Sequence, residues 1–150
     1  MRNYNHASLS VCTRCRQPGF VGPDNQRQGY LLAKSIHARF SDSAAARFGV
    51  SLRGVRCMSQ CKRPCVIALS GPSRYTLVFG DLDPHSDVGA IFELAGQYAL
   101  APDGLVTRED RPEPLRAGII GRIPPLHLDG DPIDPDFTIP VPPSIEKEAR

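Results

Sequence analysis

Residues 65–79 read Cys-Val-Ile-Ala-Leu-Ser-Gly-Pro-Ser-Arg-Tyr-Thr-Leu-Val-Phe, a segment with a strong β pattern. Two runs rich in β-forming residues, 65–69 and 75–79, flank the turn-forming segment 70–74. Runs of this kind on either side of a turn of about five residues predict an antiparallel β-hairpin. A β-sheet is therefore part of the fold.

The N-terminal half predicts a strand, a helix and a second strand. Residues 8–12 alternate small or polar with apolar side chains, which is typical of a short strand. Apolar residues at helical spacing from 26 to about 47 predict an amphipathic helix with a break near 41–43. Residues 49–56 predict a strand that leads directly into Cys57. If the two strands pair in parallel across the helix, the fold is a small α/β sandwich of the thioredoxin kind.

The C-terminal half divides into a helix and a proline-rich segment. Helical spacing predicts a helix over about 87–99 that packs on the sheet, with Ser86 as its N-cap. Residues 111–150 contain nine of the 15 prolines and show no sustained periodicity. We expect a domain over 1–110, followed by an irregular extension over 111–150 that packs on the domain and ends in an extended acidic tail from Asp129 onward.

The five cysteines form two tight groups, and none occurs after residue 65. The groups are Cys12-Thr-Arg-Cys15 and Cys57-Met-Ser-Gln-Cys61-Lys-Arg-Pro-Cys65. No apolar run reaches the roughly 20 residues of a membrane helix or the 7–15 of a signal peptide, so we expect a soluble, cytoplasmic protein. In that reducing compartment, clustered thiols indicate a metal or redox site rather than disulfides.

Positive charge is concentrated in the segment that carries the cysteines. Residues 1–65 hold eleven Lys or Arg against two acids, a net charge of +9, whereas residues 66–150 have a net charge of −7. Five of the cations lie within two residues of a cysteine: Arg14, Arg16, Arg56, Lys62 and Arg63. Such residues favour an anionic metal–thiolate site and an acidic partner protein.

Spacing leaves the bound group open. Four thiolates suit tetrahedral zinc or a 2Fe-2S cluster, and copper(I) accepts fewer. Cys12-x-x-Cys15 is also the spacing of a dithiol redox motif, but Pro18-Gly19 follows too closely for a helix to begin there. The four histidines show no spacing typical of metal ligands: His6, His37, His85 and His127.

Several short motifs resemble the bacterial family of unknown function numbered 1636, whose members are described as predicted metal-binding proteins. The resemblance covers residues from about 10 to 126. It is carried by 11–16 (Val-Cys-Thr-Arg-Cys-Arg), 57–65, 79–84 (Phe-Gly-Asp-Leu-Asp-Pro), Tyr98, 102–106 (Pro-Asp-Gly-Leu-Val), 111–116 (Arg-Pro-Glu-Pro-Leu-Arg) and 122–125 (Arg-Ile-Pro-Pro).

Residues 55–69, with Tyr75 and a short helix after them, are similar to the second half of thioredoxin-like 2Fe-2S ferredoxins. In those proteins a Cys-x-x-x-Cys loop precedes a proline and an apolar strand. The resemblance implies a thioredoxin-like fold and a 2Fe-2S cluster held by four of the cysteines: Cys12, Cys15, Cys57 and Cys61. The first pair is spaced more closely here than in the ferredoxins, and Cys65 follows Pro64, so Cys65 is kept as an alternative ligand.

These observations predict an electron carrier with an acidic redox partner rather than an enzyme. The chain has no Ser/His/Asp set, no phosphate-binding glycine loop and no zinc-protease motif. Nothing beside the basic residues predicts a nucleic-acid platform. A homodimer is left open. The alternative function is binding or delivery of zinc or another soft metal without a redox role, and a dithiol oxidoreductase is a less favoured third alternative.

Overall fold

The computed structural model describes residues 6–144, and within them it contains five strands and three α-helices. The strands are β1 (Ser8–Cys12), β2 (Ser51–Val55), β3 (Ile67–Ser70), β4 (Thr76–Phe79) and β5 (Ile119–Ile123). The helices are α1 (Gln28–Arg39), α2 (Ala44–Arg47) and α3 (Val88–Leu100). Short 3-10 turns occur at Asp24–Gln26, Phe40–Asp42, Glu113–Leu115 and Pro135–Phe137.

The strands form one mixed sheet in the order β2-β1-β3-β4-β5. β1 and β2 pair in parallel, with Ser8 opposite Ser51 and Cys12 opposite Val55. All other neighbours pair antiparallel, including the hairpin of β3 and β4. The predicted α/β sheet, with its parallel first pair and its hairpin, is confirmed.

The helices cover one face of the sheet. Alternate strand residues such as Leu9, Ile67 and Phe79 share one buried cluster with Ile36 of α1 and Ile91 of α3. Each such side chain stabilises the fold by roughly 1.5–3 kcal/mol when fully buried. Residues that point to the opposite face form a smaller cluster that contains two of the cysteines.

The predicted break in the first helix lies where Ser43 interrupts it. The Ser43 hydroxyl accepts a hydrogen bond from the backbone N–H of Ala46 at 3.2 Å, so it caps α2. The predicted N-cap of the last helix, Ser86, is wrong. Asp87, not Ser86, occupies the N-cap position of α3, because the carboxylate of Asp83 accepts the backbone N–H groups of His85 and Ser86 and holds that loop outside the helix.

The proline-rich segment contributes one strand to the sheet. Residues 119–123 form β5, which pairs with β4 at the edge opposite β2. Leu115 is fully buried against the core, whereas Leu126 is 92% exposed. Residues 145–150 of the predicted acidic tail and residues 1–5 at the start of the chain lie outside the described residues. Within residues 6–144, no helix is long and apolar enough to cross a bilayer.

Candidate metal centre

The sheet topology brings both cysteine groups to the same end of the sheet. Cys12 is the last residue of β1 and lies opposite Val55, the last residue of β2. Because the two strands are parallel, their carboxyl ends meet at one edge, and Cys57 follows only two residues after Val55. The backbone N–H of Thr13 donates to the carbonyl of Val55 at 2.8 Å and joins the two chain segments beyond the strands.

The segment that enters β3 lies on the other side of Cys12. The backbone N–H of Cys12 donates to the carbonyl of Val66 at 3.1 Å. β3 then runs antiparallel to β1, starting with Ile67 opposite Val11. Cys65 is therefore also at this end of the sheet, although it belongs to the main core cluster beneath the helices.

Helix α1 packs tightly on the first cysteine loop, residues 12–15. The backbone N–H of Gly29 donates to the carbonyl of Cys15 at 2.9 Å. A Cβ at position 29 would lie 2.6 Å from the Cys12 carbonyl oxygen and 2.7 Å from the Cys15 nitrogen. Only glycine fits this contact without a shift of the backbone. Sequence reasoning missed Gly29, and a glycine inside an otherwise helical pattern was the available signal.

Three of the five thiols are buried. Cys12, Cys15 and Cys65 are each at most 2% exposed. Burial raises the pKa of Cys15 well above its ordinary value, aided by a hydrogen bond with the Cys12 thiol and by the charges of Cys12 and Cys65, while the Val66 amide opposes the shift. Burial raises the pKa of Cys65 to about 12, with smaller contributions from Asp83 and Cys12. Thiolates at these positions are unfavourable unless a cation neutralises them.

The other two predicted ligands lie on the surface. Cys57 and Cys61 are exposed, on the second cysteine loop (residues 57–65). The Cys57 sulfur accepts the backbone N–H of Ser59 at 3.4 Å. Among residues 6–144, no three His, Cys, Asp or Glu side chains are arranged to hold a metal ion. The structure thus places Cys12 beside Cys15 and near Cys65, and it leaves Cys57 and Cys61 at the same end of the sheet but apart from them.

The donor set suits a soft metal or an iron–sulfur cluster. None of the five cysteines is in a disulfide, and thiolate sulfur is the ligand that zinc, copper(I) and iron–sulfur clusters prefer. Two thiols from one loop are buried in the same small cluster, and a second pair lies on the neighbouring loop. These cysteines therefore fit a soft metal or an iron–sulfur cluster once the second cysteine loop closes on the first.

Some of the predicted cations are paired and others are not. Arg14 forms an ion pair with Asp24, which also pairs with Arg27. Arg63 donates to Asp81 through Nε at 2.9 Å and through Nη2 at 2.7 Å. Within the described part of the chain, the remaining cations beside the cysteines have no acidic partner, and each is exposed: Arg16, Arg56 and Lys62.

Comparisons with known proteins agree with this architecture. The thioredoxin-like [2Fe-2S] ferredoxin from Aquifex aeolicus superposes with a TM-score of 0.52 at 18% sequence identity, over 82% of this chain and 98% of the ferredoxin. This similarity establishes a thioredoxin-like fold. No curated protein matches the chain. A profile of the proteins of unknown function DUF1636 matches residues 9–125, so the chain belongs to that family.

Proposed function

We propose that this protein holds a 2Fe-2S cluster and transfers single electrons. The observation that carries the proposal is the position of all five free thiols at one end of a thioredoxin-like sheet. A solved structure with the same fold is a [2Fe-2S] ferredoxin. The cluster would take Cys12 and Cys15 from the first loop and Cys57 and Cys61 from the second.

The buried thiols Cys12 and Cys15 need a bound cation in order to ionise. Cys12 and Cys15 are shielded from water, so their thiolates gain little from solvation and a bound cation has to supply the stabilisation. The second loop has few backbone hydrogen bonds of its own: they are Arg63 N–H to Gln60 at 3.0 Å and Asp81 N–H to Arg63 at 3.0 Å, with the bonds between Cys65 and Leu82 at its end. Met58 of this loop already packs against the cluster that contains Cys12 and Cys15. Residues 57–61 can therefore close over the first loop with little loss of existing bonds.

The unpaired cations would affect both the reduction potential of the cluster and the binding of a redox partner. A 2Fe-2S cluster with four thiolates is anionic and gains a further negative charge on reduction, so Arg16, Arg56 and Lys62 would favour the reduced state. The same exposed charges would attract an acidic redox partner and accelerate its association at low ionic strength.

The second candidate is a site for zinc or another soft metal without a redox role. It is favoured by the Cys12-x-x-Cys15 spacing, which is common among zinc ligands, and by the burial of both thiols in one cluster. A site of this kind would use the same thiols and would leave the protein colourless.

Metal analysis after anaerobic purification distinguishes the two candidates. A 2Fe-2S protein should be coloured, contain about two iron and two labile sulfide ions per chain, and give a paramagnetic signal when reduced by one electron. A colourless protein with about one zinc per chain would replace the first proposal with the second. Protein without bound metal, whether purified anaerobically or supplied with iron and sulfide or zinc, would overturn both.

Two cysteine variants sharpen this experiment. Cys57→Ser removes a proposed ligand from an exposed loop, so it should lose most of the bound metal without a large loss of folding stability. Cys65→Ala is the matched control, because it removes a fully buried thiol from the core and introduces no buried hydroxyl. It should keep most of the metal while lowering stability. Equal loss of metal in both variants would make Cys65 a ligand.

A further inference from the structure

A groove of about 760 Å³ lies between α1 and the edge strand β2, beside the candidate metal centre. It exists because α1 packs on β1 and leaves the inner face of β2 uncovered. On that face β2 presents Leu52, which is only partly buried, and Gly54, which has no side chain. The floor of the groove is apolar and includes Val11 and Ala33.

The dimensions of the groove suit a compact molecule. Thr13 and Arg14 of the first cysteine loop lie at one end, and Phe40 and Ser41 lie at the other. The lining runs along the chain from Tyr30 of α1 to Ser41, which is about 16 Å at the helical rise of 1.5 Å per residue. An extended peptide would place only about five residues in that length. The volume is within the range of roughly 300–1,000 Å³ that is usual for small-molecule sites.

The rim of the groove is cationic. Lys34 and His37 project from α1, Arg56 follows β2, and Arg14 lies at the loop end. Asp24 is the acid among the lining residues, and it is already paired with Arg14 and Arg27. Lys34 and Arg56 form no ion pair within residues 6–144. A ligand that enters the groove would therefore lie beside positively charged side chains that have no acidic partner.

We infer that the groove binds a small organic anion with an apolar, ring-sized body and a carboxylate or phosphate group. The body would lie on Val11, Ala33 and Leu52, with the Tyr30 ring, which is 40% exposed, beside it. The anionic group would pair with Lys34 and Arg56 at the rim. This inference does not depend on the metal, because none of the cysteines lines the groove.

Calorimetric titration with 1-anilinonaphthalene-8-sulfonate tests the inference on the full chain. This probe combines an aromatic body with one anionic group, and heat is measured whatever the colour of the protein. We expect one equivalent to bind, and we expect the uncharged analogue N-phenyl-1-naphthylamine to bind about tenfold more weakly, or about 1.4 kcal/mol. The inference is wrong if the uncharged analogue binds equally well.

Paired variants locate the binding. Lys34→Ala/Arg56→Ala should weaken binding of the probe about tenfold, because both cations of the rim are lost. Arg47→Ala/Arg108→Ala removes the same charge from exposed positions that do not line the groove, and it should leave binding within about twofold. All four side chains are on the surface or partly exposed, so both proteins should fold. Equal weakening in the two variants would overturn the inference.

Displacement of the probe identifies the anionic group. Phenyl phosphate and benzoate share a ring and differ in the anion, and phenol has the ring without a full charge at neutral pH. Displacement by phenyl phosphate or benzoate supports the inference and assigns the preferred anion. If neither displaces the probe, or if phenol displaces it as well as they do, the groove does not recognise small organic anions.

Discussion

Gly29 is the residue at which α1 and the first cysteine loop come closest. In an ordinary helix, alanine is favoured over glycine by about 1 kcal/mol. At this position, however, a Cβ would overlap backbone atoms of Cys12 and Cys15 at 2.6 and 2.7 Å, and backbone cannot rotate away as a side chain can. We expect Gly29→Ala to lower the free energy of unfolding by about 1–3 kcal/mol, measured by urea denaturation with circular dichroism.

The matched control for this substitution is Gly89→Ala in α3. A Cβ at position 89 would meet no atom within 4 Å, so the helix propensity of alanine should act alone. Gly89→Ala should be neutral or stabilising by up to about 1 kcal/mol. If the two alanine variants changed stability in the same direction, the close contact at Gly29 would not limit the packing of α1.

Tyr98 is a fully buried residue whose titration affects stability. Its hydroxyl donates to the backbone carbonyl of Tyr75 at 2.6 Å. Burial raises the pKa of Tyr98 to about 12, although the nearby charge of Arg74 opposes the shift. An unfolded tyrosine titrates near pH 10. The folded state therefore binds this proton more tightly, and its contribution to stability is present below about pH 10 and is lost as the pH rises toward 12.

We expect Tyr98→Phe to destabilise the protein by about 1–3 kcal/mol at pH 7, because the Tyr75 carbonyl loses its buried donor. The difference in unfolding free energy between wild type and variant should shrink between pH 10 and 12. Urea denaturation at several pH values measures it. Tyr30→Phe, at a 40% exposed position, is the control and should leave the unfolding free energy at pH 7 nearly unchanged. A constant gap for Tyr98→Phe would contradict the raised pKa.

Among the strands and helices, the sequence predicts those whose residue pattern is local. The hairpin, the first strand and the helix break at Ser43 each depend on residues within a few positions of one another. β5 was predicted only as irregular chain, because Ile119–Ile123 contains Gly121, lies between proline-rich segments and shows no alternation. It becomes a strand because the outer edge of β4 offers it backbone partners, and that edge is far away in sequence.

The link between the hairpin loop and α3 is another long-range feature. The sequence placed Arg74 in a turn, but its side chain is only 7% exposed and reaches the C-terminal end of α3. Nη1 donates to the carbonyls of Tyr98 and Ala99 at 2.9 and 3.1 Å, and the guanidinium lies 5.7 Å from the centre of the Tyr98 ring. A cation at this end of a helix also interacts favourably with the helix dipole.

Arg74→Met should therefore release the end of α3 from the hairpin. We expect a loss of about 2–3 kcal/mol, because hydrogen bonds made by a buried charged donor are replaced by contacts of similar volume only. Hydrogen exchange should accelerate most at the C-terminal turn of α3. Arg108→Met is the control, since Arg108 is exposed and forms no ion pair within residues 6–144. Equal effects of the two substitutions would show that Arg74 does not hold the helix.

For the molecule as a whole, the sequence predicts where the candidate site lies but not which of its cysteines are buried. Two strands that lead into cysteines indicate convergence when they pair in parallel, and the parallel pairing of β1 and β2 is confirmed. Cys12 and Cys15 are buried with Val66 in the cluster on the face opposite the helices, whereas Cys65 is buried in the core beneath the helices. These are tertiary contacts that cysteine spacing does not encode.

The different environments of the five thiols predict two classes of reactivity toward a disulfide reagent such as Ellman's reagent. In metal-free protein, the exposed Cys57 and Cys61 should react quickly, and the buried Cys12, Cys15 and Cys65 should react only when the structure opens. Denaturant should merge the two phases.

Loading with the proposed cluster should protect Cys57 and Cys61 as well, because they become ligands. The slow phase in the folded metal-free protein tests the burial of the thiols. If cluster-loaded protein kept the same fast phase as metal-free protein, the second loop would not close on the first, and Cys57 and Cys61 would have to be removed from the ligand set.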